Sequence, residues 1–428
     1  MNDITRRTAL GGFVAGAAGA AGAVMLDRRS GPRGVTRGGP TPAQLLTARS
    51  GIKNRPFWLH YDSSPISQAT IDREAPRRGQ VVFNAWEGQY IPAFRAAGAS
   101  NPHLKLYVYK CFSSTRSFDP GPQGETSGAL LYSWVSANHP EWFLTRNGSR
   151  IQWSGYPHTF AMDIGNPAYQ QACLNAIVTD ARKTGWDGVY LDNILYSLSQ
   201  YSVAPCDQYA TDAKFRDAYI SALSVIGKGI SAAGLLSMGN MAGIRVVPGL
   251  WATYIGAGLG GGFDEWFACF GDGQELTDYG SPPEGLHAQV EEIRLLKHGA
   301  RPYLAGAFQS HSVTDTQSFR YSFAAWLLGV SSAAFFSEKA AGGGPPRWRT
   351  EYNWNFGWFT GSYQTLQPSV YQRIFTEGMT LVNARPSGSN ITVNLANRYG
   401  TVYLDQDGNN RTSVSLPPKT GMAMRKVS

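Results

Sequence analysis

Eight short apolar runs alternate with longer segments over most of this chain, and that grammar limits its fold more than any other feature. The runs are FWLHYD (57–62), QVVFNAW (80–86), LKLYVYKCF (104–112), GVYLDN (188–193), LLSMGN (235–240), GFDEWF (262–267), PYLAGAF (302–308) and SAAFFS (332–337). Their length and their β-branched and aromatic content predict strands. The intervening segments have helical spacing. Residues 166–184 place Tyr169, Ala172, Cys173, Ala176 and Ile177 on one stripe, opened by Asn166-Pro167 and closed by Gly185. Residues 212–232 behave similarly, and residues 284–298 align Leu286, Val290, Ile293 and Leu296. Eight strand and helix repeats predict an α/β fold, a (β/α)8 barrel, over residues 55–370.

After about residue 370 the period falls to two, in MTLVN, NITVNL, GTVYL, TSVSL and GMAMR, with turn residues such as DQDGNN between them. Residues 371–428 are therefore expected to form a small C-terminal antiparallel β domain, sandwich-like and packed on the barrel. Residues 27–54, rich in Gly, Pro, Arg and Thr, read as a flexible linker.

The formal charge of +8 first suggests a nucleic-acid partner, but its distribution argues against one. Residues 1–54 hold eight Lys and Arg against Asp3 and Asp27, so +6 belongs to the leader and only +2 to the remaining 374 residues. In residues 1–26, Arg6-Arg7 precede a weakly apolar Ala/Gly stretch with a small-residue site at Ala21-Gly22-Ala23. This resembles a twin-arginine export signal, which implies a secreted or envelope-associated protein. No later apolar run reaches the ~20 residues needed to span a bilayer, so no stable membrane insertion is expected of the body. The sequence carries no signal for oligomeric state.

Cys111, Cys173, Cys206 and Cys269 lack CxxC spacing, and the seven histidines form no HExxH or HxH, so neither a metal nor a cofactor is expected. Four cysteines allow three full disulfide pairings, or free buried thiols. A Cys206–Cys269 pair above the barrel is the expectation, since each follows a strand that carries a catalytic candidate. GAGLGG (256–261) matches a dinucleotide fingerprint only literally, because it precedes a strand and opens no helix.

Barrel enzymes carry their chemistry at the C-terminal ends of strands. Carboxylates stand there at Asp62 on the first strand, Asp192 on the fourth, and Asp264 with Glu265 on the sixth. The seventh run has none, and Glu338 follows the eighth. Two carboxylates at opposed strand ends over one cleft suit glycoside cleavage, where one protonates the leaving oxygen and the other attacks carbon or activates water. Alternation puts Asp264 and Glu265 on opposite faces without saying which is inside, and the longer reach of Glu265 favours it. Asp192 and Glu265 are the catalytic candidates. Asp62, Trp86, Asp163, Tyr190, Asn193, Asn240, Asp264 and Trp266 are candidates for binding substrate, with Asp62 and Asp163 equally readable as turn formers. Trp153, Trp251, Trp354 and Trp358 add aromatic faces suited to sugar rings or to packing.

GWDGVYLDNI followed by GFDEWF, with FAMDIGNPAYQ upstream and LPPKTGMAM near the end, resembles the secreted TIM-barrel glycoside hydrolases, a family defined mainly by sequence. The chain is more distantly similar to the endo-alpha-1,4-polygalactosaminidases and the alpha-galactosidase-like clan. The likeness covers roughly residues 55–425. It implies Asp192 as nucleophile and the acid on the sixth strand, Glu265, as acid/base, with the adjacent Asp264 leaving that assignment open. The reading as a whole is an exported, retaining glycoside hydrolase that acts on a polysaccharide or cell-envelope glycan. A carbohydrate-binding barrel without turnover is the main alternative, and an esterase or deacetylase is disfavoured by the missing GxSxG and metal ligands.

Overall fold

The computed structural model describes residues 51–60, 64–121, 125–201, 205–280, 284–296, 305–311, 313–330, 334–340, 344–395 and 402–427, with backbone only for 305–307. Asp62, the leader (1–26) and most of the linker (27–54) lie outside the described residues. The last linker positions do not behave as a linker. Ile52 is buried and exchanges backbone hydrogen bonds with Phe356 and Gly357, so ordered structure begins before Arg55.

Eight strands pair in chain order, every neighbour parallel: β1 (Phe57–His60), β2 (Gln80–Phe83), β3 (Lys105–Lys110), β4 (Gly188–Leu191), β5 (Leu236–Asn240), β6 (Gly261–Asp264), β7 (Ala305–Ser310) and β8 (Ala334–Glu338). At the seam between β8 and β1, the Asn54 side chain stands in for a strand peptide. Its Nδ2 donates to Phe336 O at 2.9 Å and its Oδ1 accepts from Phe336 N at 3.0 Å. The result is the (β/α)8 barrel that the alternating runs predict.

The helices among the described residues are α1 (Gln68–Glu74), α2 (Ile91–Ala97), α3 (Tyr132–Asn138), α4 (Pro167–Thr184), α5 (Asp212–Ala232), α6 (Leu250–Ala257), α7 (Leu286–Leu295) and α8 (Thr316–Gly329), and α4, α5 and α7 fall on the three segments read as helical. In α4 the Asn166 side chain caps Ala168 N and Tyr169 N, and Gly185 ends the helix at φ 87°, a left-handed geometry that favours glycine. The sequence reading names no helix at α6, nor at α1, α2, α3 or α8. In α6, Trp251 is buried and stacks on Phe308 at 6.0 Å, so this tryptophan belongs to the core rather than to a sugar site.

Period two along the strands separates two cores. Phe57, Val82, Tyr107, Tyr109, Cys111, Tyr190, Met238 and Phe263 fill the barrel interior, while the alternate residues pack outward. Between β3 and β4 an insertion carries two hairpins, Ser114–Arg116 with Thr159–Ala161 and Thr145–Arg146 with Ser149–Arg150.

The antiparallel part comprises β9 (Gln364–Gln367), β10 (Val370–Phe375), β11 (Gly378–Asn383), β12 (Ile391–Asn394), β13 (Tyr403–Leu404), β14 (Asn410–Arg411), β15 (Ser413–Leu416) and β16 (Thr420–Lys426). Six of these strands form one sheet, and β12 with β15 forms a ribbon. Met379, Leu381, Val393, Leu395, Val414, Leu416 and Met424 join the two in one apolar cluster. The sheet packs against α8, which is buried along nearly its whole length. A Cβ on Gly421 would stand 2.8 Å from that of Ala324, so the glycine permits the close approach.

All four cysteines are buried and unbridged, so the expected Cys206–Cys269 pair does not form. Each thiol is turned into its own loop, Cys206 Sγ towards Tyr209 O at 3.8 Å and Cys269 Sγ towards Gly271 O at 2.7 Å.

Candidate active site

Continuing the inward alternation past the strand ends identifies what stands over the barrel interior. Tyr190 leads to Asp192, Met238 to Asn240 and Phe263 to Glu265, each two residues on and on the same face. The contacts agree. Asn240 Nδ2 donates to Asp192 Oδ1 at 2.9 Å and to Glu265 Oε2 at 3.0 Å, which bounds the separation of those two oxygens at the sum of the distances, about 5.9 Å. Both carboxylates are half-buried, whereas Asn240 is buried. Asp192 accepts a second bond on Oδ2 from Tyr109 OH at 2.6 Å, and Arg116 Nη2 donates to that hydroxyl at 2.8 Å. Burial pushes the Tyr109 phenol well above its ordinary pKa, with Arg116 opposing and Asp192 adding to the rise, so the hydroxyl remains protonated and can donate.

Asp264 takes the other face. It is buried outside the barrel, where Gln289 of α7 donates to Oδ2 at 2.7 Å and Trp266 N to Oδ1 at 3.0 Å. Burial raises its pKa. Glu292, on the same helix, is raised well above the usual carboxylate range, first by burial and then by the Asp264 charge. Asp264 therefore lies in a buried polar cluster behind β6, away from the Asp192–Asn240–Glu265 group.

The other sequence candidates divide. Tyr190 is buried below the carboxylates, 6.0 Å from Tyr109 and 5.3 Å from Phe263 between ring centroids, and forms floor rather than wall. Asn193 has φ 57°, and its Nδ2 lies 3.4 Å from Cys111 Sγ, so it makes the turn that leaves β4. Trp266 is half-buried and stacks on His311 at 3.6 Å. Trp86 is half-buried beside Gly121. Asp163 Oδ1 accepts from Gly165 N at 3.2 Å and from the Tyr209 hydroxyl, the turn-forming alternative for this residue, and no hydrogen bond among the described residues joins it to Asp192. Glu338 is bound to Arg349 by two contacts of 2.6 Å.

Sequence reasoning missed Tyr109 and Arg116. Tyr109 was within reach, because period two in LKLYVYKCF puts it beside the β4 interior position. Arg116 had no local signal, since only the hairpin pairing with Thr159 brings it back over β3. Among the described residues no group of His, Cys, Asp and Glu could hold a metal ion, and no helix is long and apolar enough to cross a membrane.

No curated protein matches the sequence. Among solved structures, the chain is similar to a maltogenic alpha-amylase from Thermotoga neapolitana at 10% identity and TM-score 0.46, over 88% of this chain and 97% of that one. It is similar to an alpha-amylase from Geobacillus thermoleovorans at 11% and 0.45, over 87% and 98%. It is also similar to a cycloalternan-degrading enzyme from Trueperella pyogenes at 12% and 0.45, over 90% and 62%. The model of the hypothetical glycosyl hydrolase family 15 matches residues 99–379, from just after α2 into β11, about two thirds of the sequence, and the chain belongs to that family.

Proposed function

We propose that this protein is an exported, retaining glycoside hydrolase that cleaves O-glycosidic bonds of a polysaccharide or cell-envelope glycan. Family and fold support glycan hydrolysis. The observation that carries the finer reading is the Asn240 bridge between Asp192 and Glu265. The shared donor keeps one oxygen of each carboxyl within about 5.9 Å of the other, a closeness that accords with retention, which uses carboxyls about 5–5.5 Å apart.

In this reading Asp192 attacks the anomeric carbon while the bond to the leaving oxygen breaks and Glu265 gives that oxygen its proton. Water then enters, Glu265 takes a proton from it, and the remaining hydroxide oxygen displaces Asp192. Asn240 holds the two carboxylates in register. Trp266, backed by His311, and Trp86 offer faces to sugar rings.

The test is digestion of bacterial exopolysaccharides and envelope arabinogalactan, with the first-formed anomer followed by NMR. Retained configuration is expected, together with loss of turnover in Asp192→Ala. Inverted product would recast Asp192 as a base. Glycan binding without turnover would make the protein a carbohydrate-binding barrel.

A further inference from the structure

We infer that Arg116 is a positioning residue that acts through Tyr109 to aim a hydrogen bond at Asp192, an inference that rests on the reading of Asp192 as nucleophile. A phenol has one proton to give, and a guanidinium can only donate. With Arg116 Nη2 2.8 Å from the Tyr109 oxygen, the acceptor side of the hydroxyl is used, and its proton goes to Asp192 Oδ2 at 2.6 Å.

Arg116 is itself held in place. Its guanidinium carbon lies 5.3 Å from the ring centroid of Tyr109 and 5.8 Å from that of Phe118, and its backbone is paired in the hairpin with Thr159. Burial pulls the Arg116 pKa down, but neighbouring acidic groups, the Asp119 and Asp192 carboxylates among them, hold it above the ordinary value, so the donor stays charged. Asp192 is then fixed by donors from two strands, Tyr109 of β3 on Oδ2 and Asn240 of β5 on Oδ1. Two such bonds define the plane of a carboxylate, which is what attack on carbon in a fixed direction requires. The first hairpin of the insertion between β3 and β4 thus sets the hydrogen-bond direction at Asp192.

The experiment is a double-mutant cycle on kcat in the full-length protein, with envelope arabinogalactan as substrate and thermal midpoints as the folding control. Tyr109→Phe should lower kcat about 100-fold, the order of loss of one preorganised donor, while KM changes little. Arg116→Met should lower kcat about tenfold or more, and should add nothing in the Tyr109→Phe background. Arg116→Lys, which keeps a cationic donor, should recover most of the loss. Losses that multiply in the double variant, or an effect of Arg116→Met confined to KM, would overturn the inference. If Arg116→Met does not fold, Arg116→Lys and Tyr109→Phe decide it: a Lys variant as slow as the Phe variant, or additive with it, counts against the relay. Asp192→Ala run alongside separates the two claims. Activity surviving in that variant removes the nucleophile reading, whereas its loss beside an unimpaired Arg116→Met removes only this one.

Discussion

Asp264 and Glu265 are adjacent in the chain and face opposite sides of the barrel wall: Asp264 is bound to Gln289 of α7 behind the sheet, and Glu265 shares Asn240 with Asp192 over the interior. One residue of register thus separates a carboxyl buried among helix side chains from one that can meet a substrate. The relationship makes the two acids distinguishable by experiment.

Glu265→Gln should lower kcat by orders of magnitude on an ordinary glycoside and recover on a substrate with an activated leaving group, which needs little protonation. Asp264→Asn should leave that selectivity unchanged and act on stability. A selective rescue seen with Asp264→Asn and not with Glu265→Gln would assign the proton donor to Asp264.

The Asp264–Glu292 cluster should make stability fall with rising pH. Both carboxyls have raised pKa values in the folded chain, chiefly through burial, so the folded state binds protons more readily than the unfolded one. Their contribution is complete below the ordinary carboxylate range and is lost as pH climbs through the raised folded values. Glu292→Gln keeps a neutral side chain of similar shape. Its melting temperature, followed from about pH 5 to about pH 9, should fall less than that of the wild type. Parallel curves would show that the cluster does not titrate as described.

Arg373 joins the antiparallel sheet to the end of α8, donating to Leu328 O at 2.9 Å and Val330 O at 2.8 Å. Burial pulls its pKa down to about 10, so it remains charged at neutral pH at the helix C-terminus, where a cation is favoured. Arg373→Leu should leave those carbonyls without their donor and cost about 2–4 kcal/mol in a denaturant titration. An unchanged midpoint would show that the sheet holds α8 by packing alone.

Export by the twin-arginine route predicts that changing Arg6 and Arg7 together to Lys keeps the protein in the cytoplasm, as read by fractionation and immunoblotting. Unchanged export would remove the targeting reading.

The sequence by itself determined the barrel and the second β part, because both rest on local periodicity. Eight apolar runs, the Asn166-Pro167 start and Gly185 stop of α4, and the period-two segments after residue 370 are each legible within a window of about 20 residues. It also brought Asp192 and Glu265 forward, since barrel topology fixes which strand ends are the working ones. Tertiary structure alone decided the rest, and each case depends on contacts between residues distant in sequence. Which of Asp264 and Glu265 faces inward follows from the packing of Phe263 into the interior, where alternation supplied only the opposition of the two. The role of Asn240 requires β5 to lie between β4 and β6. Arg116 meets Tyr109 only after a hairpin closed more than forty residues later folds back over the barrel. Asn54, read as linker, closes the seam with β8 across 282 positions of sequence. A carboxamide that substitutes for a strand peptide leaves no periodic trace, so no window of sequence could have revealed it.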